Sequence, residues 1–193
     1  MPKTEIFNRD EVLNNACSIF HLKGYNATSM QDLVDATGLN RSSIYNSFGN
    51  KLNLYLECLK LYQEKYVRAT SKVLLKTNSP LEAISSILDF YIGEITNDKN
   101  MQGCMIANCK SEMANQDKTI QNFLNQNQTS TLVLFEDLIK EGQQLNLFNS
   151  KQSAKTYALF LFSTLQGLRM TGILLNKKKD LQSIAYASLQ SLI

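Results

Sequence analysis

Two prolines, one histidine and no tryptophan occur in this 193-residue chain, and each scarcity excludes something. With only Pro2 and Pro80 as rigid breakers and little strand-like alternation, long segments are free to be helical, so the pattern predicts an all-α protein. His21 is the sole histidine; with no Gly-rich phosphate loop and no Ser/His/Asp arrangement, no catalytic residue is expected. Cys104 and Cys109 stand five apart, on different faces of a helix, which is not metal-ligand spacing, so neither a structural zinc nor any other cofactor is expected. No apolar run approaches a membrane span, and Met1-Pro2-Lys3-Thr4-Glu5 lacks the apolar core of a signal peptide; the expectation is a cytoplasmic protein with no membrane partner. Charge decides little. The net value is +3, and residues 1–60 hold six basic against six acidic side chains, so placement matters more than total.

What is present is a tightly punctuated segment, residues 28–62. Ser29 with Asp32 three residues later forms a capping-box-like start, followed by Met30, Leu33, Val34 and Ala36 on an apolar side. Thr37-Gly38-Leu39 supplies a glycine where the chain needs positive φ, and Asn40 caps the next helix. Within that helix Ile44 and Phe48 share the core side, leaving Arg41, Ser42, Ser43, Tyr45, Asn46 and Ser47 on the other. A long helix then begins beside Lys51. This order is how a helix-turn-helix offers its second helix to the major groove, so duplex DNA is the expected partner, with Lys51 near a helix N-terminus suited to a phosphate.

Elsewhere, Asn8 with Glu11 opens a first helix whose stripe Val12, Leu13, Ala16 and Phe20 ends at Gly24. Residues 51–76 form the long linking helix. Ser79-Pro80-Leu81-Glu82 starts another helix, reaching about Thr96. A short helix is predicted from Gly103 to Met113, a long one from Asp117 to Gln143, one from Ser150 to about Leu175, and a last one from Asp180 to Ile193, with Lys177-Lys178-Lys179 as a solvated turn. In the last two, Ala154, Ala158, Leu161, Leu165, Leu168 and Gly172, then Ile184, Ala187, Ser188 and Leu192, recur at helical steps; they suit helix pairing between two copies or burial within one.

Gly24-Tyr25, Ala27-Thr28-Ser29-Met30, Gly38-Leu39, Ser43-Ile44-Tyr45, Phe48, Lys51 and Leu54, in this joint spacing over the first third of the chain, resemble the TetR family of bacterial transcriptional repressors. Leu52 and Asn46 depart from the acidic residue and the histidine that the family often carries at those places. The resemblance implies an all-α fold of about nine helices, with residues 1–48 as the DNA-binding domain and 49–193 as the ligand-binding and dimerisation domain. It implies a homodimer paired through the last two helices on a pseudo-palindromic operator, released by a small-molecule inducer. It implies DNA-facing Thr28, Ser29, Asn40, Arg41, Ser42, Ser43, Tyr45, Asn46 and Lys51. An apolar pocket could be lined by Tyr62, Tyr66, Phe90, Met101, Met105, Phe123, Phe135, Tyr157 and Phe162.

Two further readings stay open. Cys17 and Cys58 fall in apolar helical patterns and suit a core, whereas Cys104 stands where a helix begins, a setting that favours thiolate, so it is a possible sensor of oxidants or electrophiles as well as a candidate core residue. The chain could instead be a thiol-based redox protein, or a helical ligand-binding protein with a vestigial DNA module.

Overall fold

Polar side chains set most of the helix starts. Asn8, Ser29, Asn40, Asn50, Ser79, Asp117 and Ser153 each accept a hydrogen bond from a first-turn backbone N–H, satisfying donors that have no partner inside a helix. The computed structural model describes residues 7–193; residues 1–6, which include the stretch read for a signal-peptide core, lie outside them. Among the described residues there are nine helices and no strand: α1 Arg9–Ala27, α2 Met30–Thr37, α3 Arg41–Phe48, α4 Lys51–Leu74, α5 Pro80–Asn97, α6 Met105–Met113, α7 Lys118–Gln144, α8 Ala154–Leu174 and α9 Lys178–Gln190. The all-α reading stands.

Two apolar cores divide the chain. The first joins α1, α2, α3 and the N-terminal half of α4 to α6 and the start of α7, with Phe20, Leu33, Ile44, Leu54, Tyr55, Leu59, Met105 and Ile120 all within 2% exposure. The second gathers α5, the rest of α7, α8 and α9 around Ile84, Leu88, Ile92, Phe135, Ile139, Leu161, Leu165 and Leu168. Burying one such side chain contributes about 1.5–3 kcal/mol, so both cores are needed to order helices this long. The helix-turn-helix is therefore not a free appendage: α6 and α7 complete its core.

The joint between head and body is specific. Gly24 interrupts α1 with φ 79° and ψ 175°, a conformation open essentially to glycine alone, and a Cβ there would stand 2.8 Å from Glu112 Oε2. Through that kink Tyr25 N–H donates to Glu112 Oε2 at 2.9 Å and Asn26 N–H to Oε1 at 2.6 Å. His21 Nε2 donates to the Gly103 carbonyl at 2.8 Å. Gly24, Tyr25 and Asn26 lie just before α2, His21 one turn earlier in α1, and Gly103 and Glu112 at the two ends of α6.

Two expectations need correction, and one left open is decided. Ser150 lies in a loop, and Ser153 is the cap of α8; Gln143 Nε2 donates to the Asn149 and Gln152 carbonyls and Phe148 is buried, which pins the preceding segment away from helical geometry. Lys178 and Lys179 belong to the first turn of α9 rather than to a turn before it, and α9 ends at Gln190. The stripe Ala154, Ala158, Leu161, Leu165, Leu168 and Gly172 is this chain's own core, as are Ser188 and Leu192; Gly172 lies against Ile95 of α5. Burial within one chain thus accounts for that periodicity, while Ile184 and Ala187 remain exposed.

Candidate nucleic-acid interface and cavity

The reading head is built as the sequence pattern suggests. Ser29 Oγ accepts from Asp32 N–H at 3.1 Å while Asp32 Oδ2 accepts from Ser29 N–H at 2.8 Å, the reciprocal pair of a capping box. Gly38 closes α2 at φ 71°, Leu39 is buried behind it, and Asn40 Oδ1 accepts from Ser43 N–H at 2.8 Å to start α3. Ile44 and Phe48 anchor α3 at 0% and 4% exposure, which turns its other face outward. On that face Asn40, Arg41, Ser42, Tyr45 and Asn46 are exposed and Ser43 is half-buried; Ser29 is exposed at the start of α2.

Thr28 departs from expectation, and Lys51 is more enclosed than an ordinary surface lysine. Thr28 is 1% exposed and its hydroxyl donates to the Gly24 carbonyl at 2.6 Å, so it fixes the kink rather than offering a group to DNA. Lys51 is half-buried with Nζ 4.4 Å above the Tyr25 ring; burial lowers its pKa, and the carboxylates of Glu112 and Asp32 oppose that. Other head cations are occupied: Arg9 makes a bidentate pair with Glu57 at 2.9 and 3.0 Å, and Lys23 pairs with Asp32 at 2.7 Å. Arg41 has no such partner among the described residues, which leaves it as the available cation of the α3 face.

Between α4, α5, α6, α7 and α8 lies a cavity of two lobes, about 230 and 240 Å³, that share the side chains of Tyr62, Tyr66, Tyr91, Cys104 and Arg169 as a waist. The lobe nearer the head is also lined by His21, Glu94, Asp98 and Met101, the other by Val67, Thr70, Leu74, Ile87, Leu134, Phe135 and Leu165. The tyrosines form a stack: Tyr62 and Tyr66 centroids are 4.6 Å apart, Tyr66 and Tyr91 5.9 Å, and Arg169 lies 4.5 Å over Tyr91. Tyr66 donates to Glu94 Oε2 at 2.9 Å. Burial raises the Tyr62 and Tyr66 hydroxyls above their ordinary 10.0, so both are neutral near pH 7.

Of the residues expected at a pocket, Tyr62, Tyr66, Met101 and Phe135 line this one, and Phe90 packs on Tyr66 and Tyr91 from behind. Met105 and Phe123 are instead part of the first core, and Tyr157 and Phe162 part of the second, because their helix positions turn them away from the lobes. Arg169, Tyr91, Glu94 and Thr70 were missed. Arg169 had a visible signal, as the one charged residue in the uncharged run 156–176. Cys104 is half-buried at the N-cap of α6 and lines both lobes; Cys109 is buried, which pushes its thiol up to about 11, and Cys17 and Cys58 sit in or against the first core. Among the described residues no helix is long and apolar enough to cross a membrane, and no group of three His, Cys, Asp or Glu could hold a metal.

Comparison with known proteins gives concordant matches. The family model for bacterial regulatory proteins of the tetR family matches residues 12–58, and one for the tetracyclin repressor-like C-terminal domain matches residues 80–187. The chain is 31% identical over 144 residues to the HTH-type transcriptional repressor ComR of Escherichia coli K12, covering 65% of this chain and 68% of ComR. It is 26% identical over 98 residues to the HTH-type transcriptional activator FasR of Mycolicibacterium smegmatis, covering 51% of this chain and 44% of FasR. In fold it is similar to a cysteine mutant of the TetR family transcriptional regulator CifR complexed with 26-bp operator DNA: TM-score 0.87, 21% identity, 99% of this chain and 100% of that one.

The capping box also fixes a pH dependence. The Lys23 ammonium, then the Ser29 backbone N–H and hydroxyl, hold the Asp32 carboxyl at about 2, below its ordinary 3.8. Because the folded value is the lower one, the stability it contributes is complete above about pH 4 and lost as pH falls toward 2. Asp32→Asn should flatten the acid limb of a stability-versus-pH curve in that window, with little change in its shape at neutral pH. A chemical-shift titration that put Asp32 at its ordinary value would contradict this.

Proposed function

The chain belongs to the TetR family of bacterial DNA-binding transcriptional regulators, and from that premise we propose that it is a cytoplasmic homodimeric repressor that loses its operator when a small molecule fills the two-lobed cavity. It works by binding rather than catalysis. Residues 1–48 are the DNA-binding domain and 49–193 the ligand-binding and dimerisation domain. Arg41 and Asn46 on the outer face of α3 read base edges, Asn40, Ser42, Ser43 and Tyr45 flank them, and Ser29 and Lys51 meet phosphates.

The observation that carries this reading is the double role of α6. Its N-cap Cys104 is cavity wall, while Glu112 near its other end holds the backbone of Tyr25 and Asn26 just ahead of α2. A ligand that displaces the waist moves α6, and the movement reaches the head through bonds of hydrogen-bond length. Two heads must meet two half-sites at once, so a small change in their separation is enough to release DNA.

The two copies meet through the outer face of α8 and α9. On α8 Leu159, Phe160, Met170 and Leu174 are 45%, 42%, 52% and 92% exposed, with Ser163 and Gly167 between them, and on α9 Ile184 is 38% exposed. No atom outside its own helix lies within 4 Å of a Cβ built at Gly167, so a second helix can come close there. Phe160→Glu combined with Met170→Glu should give folded monomers in sedimentation, whereas Leu165→Glu, buried in the second core, should unfold the chain. A dimer that survives the double substitution contradicts this interface.

A second trigger is favoured by one feature: the Cys104 thiol lies in the cavity wall close to the Arg169 and Lys110 cations, where an oxidant or electrophile entering the lobes would meet it. Release of operator after mild oxidation should then be lost in Cys104→Ser and kept in Cys109→Ser; release in both variants removes the thiol from the mechanism.

The principal test is binding to the DNA beside the protein's own gene. Arg41→Ala and Asn46→Ala should relax base preference, at about 1–3 kcal/mol for each good base contact. Lys51→Ala should weaken binding on all sequences and lower the salt slope by about one. Unchanged affinity and salt dependence in all three would overturn the assignment of the reading helix.

A further inference from the structure

The second lobe contains an electrostatic imbalance. Among the described residues that line it, Arg169 is the one charged side chain; the rest are apolar, among them Val67, Leu74, Ile87, Leu134, Phe135 and Leu165, or polar and uncharged, such as Gln63, Asn127 and Thr131. Arg169 is half-buried, its guanidinium is desolvated, and it meets neither a carboxylate nor a hydrogen-bond acceptor among the described residues; its neighbours are the Tyr91 ring face, the hydroxyls of Tyr62 and Tyr66, and the Cys104 side chain. Desolvating a cation without a counter-charge is costly, and the quadrupole of one tyrosine offsets only part of that.

The nearby acids do not supply the missing charge. Glu94 lines the other lobe and accepts from Tyr66, and Asp98 accepts from Asn100 and Gly103 N–H. Lys110 lies close enough that burial first and the Arg169 charge second depress its pKa, so the region has two cations; Lys110 is itself engaged by Gln128 at 3.1 Å and by the Phe162 ring. One more group in the lobe lacks a partner. Thr70 is 8% exposed, and its Oγ1 is sealed from solvent with no hydrogen bond, the one such buried side-chain atom found among the described residues.

We infer that the cavity takes an amphipathic monocarboxylate, its carboxylate paired with Arg169 at the waist and its apolar body lying in the second lobe. The guanidinium offers the planar donor fork that a carboxylate accepts, and the lobe beyond it repays burial of hydrocarbon. A bound anion here also touches the waist that α6 begins in, so ligand recognition and the proposed release of DNA share one place. The inference rests on the cavity being the ligand site of the regulator.

The test uses the full-length protein and a defined probe set: hexanoate, octanoate and decanoate, each with its uncharged amide and its amine, titrated by calorimetry and by thermal shift. At least one acid should bind with an affinity about tenfold or more above its amide, and the amines should not bind. Arg169→Gln should erase the acid-over-amide preference, and Arg169→Lys should keep part of it. Equal binding of acid and amide, binding of an amine, no binding by any acid, or a preference that survives Arg169→Gln would each overturn the inference. If Arg169→Gln lowers thermal stability without changing the ratio, the residue is structural and the inference also falls. Operator affinity measured with the same acids separates the two levels: an acid held through Arg169 that leaves operator binding unmoved retires the release mechanism and keeps the site. Release by a neutral ligand, with no acid bound, does the reverse.

Discussion

The Glu112 carboxylate is the interaction on which the rest of the arrangement depends. It accepts two backbone N–H groups, from Tyr25 and Asn26, at a kink that only Gly24 makes comfortable, and so it fixes where α2 and α3 lie against the body. Charge-assisted bonds to backbone are directional. Without them the head would be held to the body by the apolar contacts of the first core and by the His21 bond to Gly103. Because α6 supplies both Glu112 and the Cys104 edge of the cavity, a single nine-residue helix joins the cavity wall to the kink ahead of α2.

The same economy governs charge. The head spends Arg9 on Glu57 and Lys23 on Asp32, pairs that brace α1 against α4 and α2, and among the described residues this leaves Arg41 as the free cation of the α3 face. Placement, not excess charge, is what gives a neutral N-terminal segment a surface for DNA. In the body the opposite holds: Arg169 stands at the waist of the cavity with no carboxylate paired to it among the described residues, and Tyr62 and Tyr66 beside it keep neutral hydroxyls because burial raises their pKa values.

Local signals made the head legible from sequence and left the body less so. Capping residues such as Ser29 and Asn40, and Gly38 at its turn, act within a few positions of themselves, and the structure has them in those roles. The kink at Gly24 was visible as a helix end, but Glu112 was not visible as its partner, because they meet across 88 positions through tertiary packing. The periodicity of α8 was read correctly as an apolar stripe, and it could not say which neighbour covers it; the covering neighbours are α5, α7 and α9. Pocket residues were the hardest. An aromatic side chain in a long helix faces cavity or core according to small rotations, so Tyr62 and Tyr66 line the lobes while Tyr157 and Phe162 do not. Arg169, the one charged residue from Thr156 to Asn176, was the better signal, since a cation in an apolar stretch of helix requires a reason.

The central claim is that Glu112 transmits the state of the cavity to the reading head, and it is tested most directly in Glu112→Ala by amide hydrogen exchange of Tyr25 and Asn26 alongside operator affinity. The account predicts faster exchange at those two amides and weaker operator binding in a protein that remains folded and dimeric. Unchanged operator affinity in the variant, with those amides exchanging faster, would contradict it.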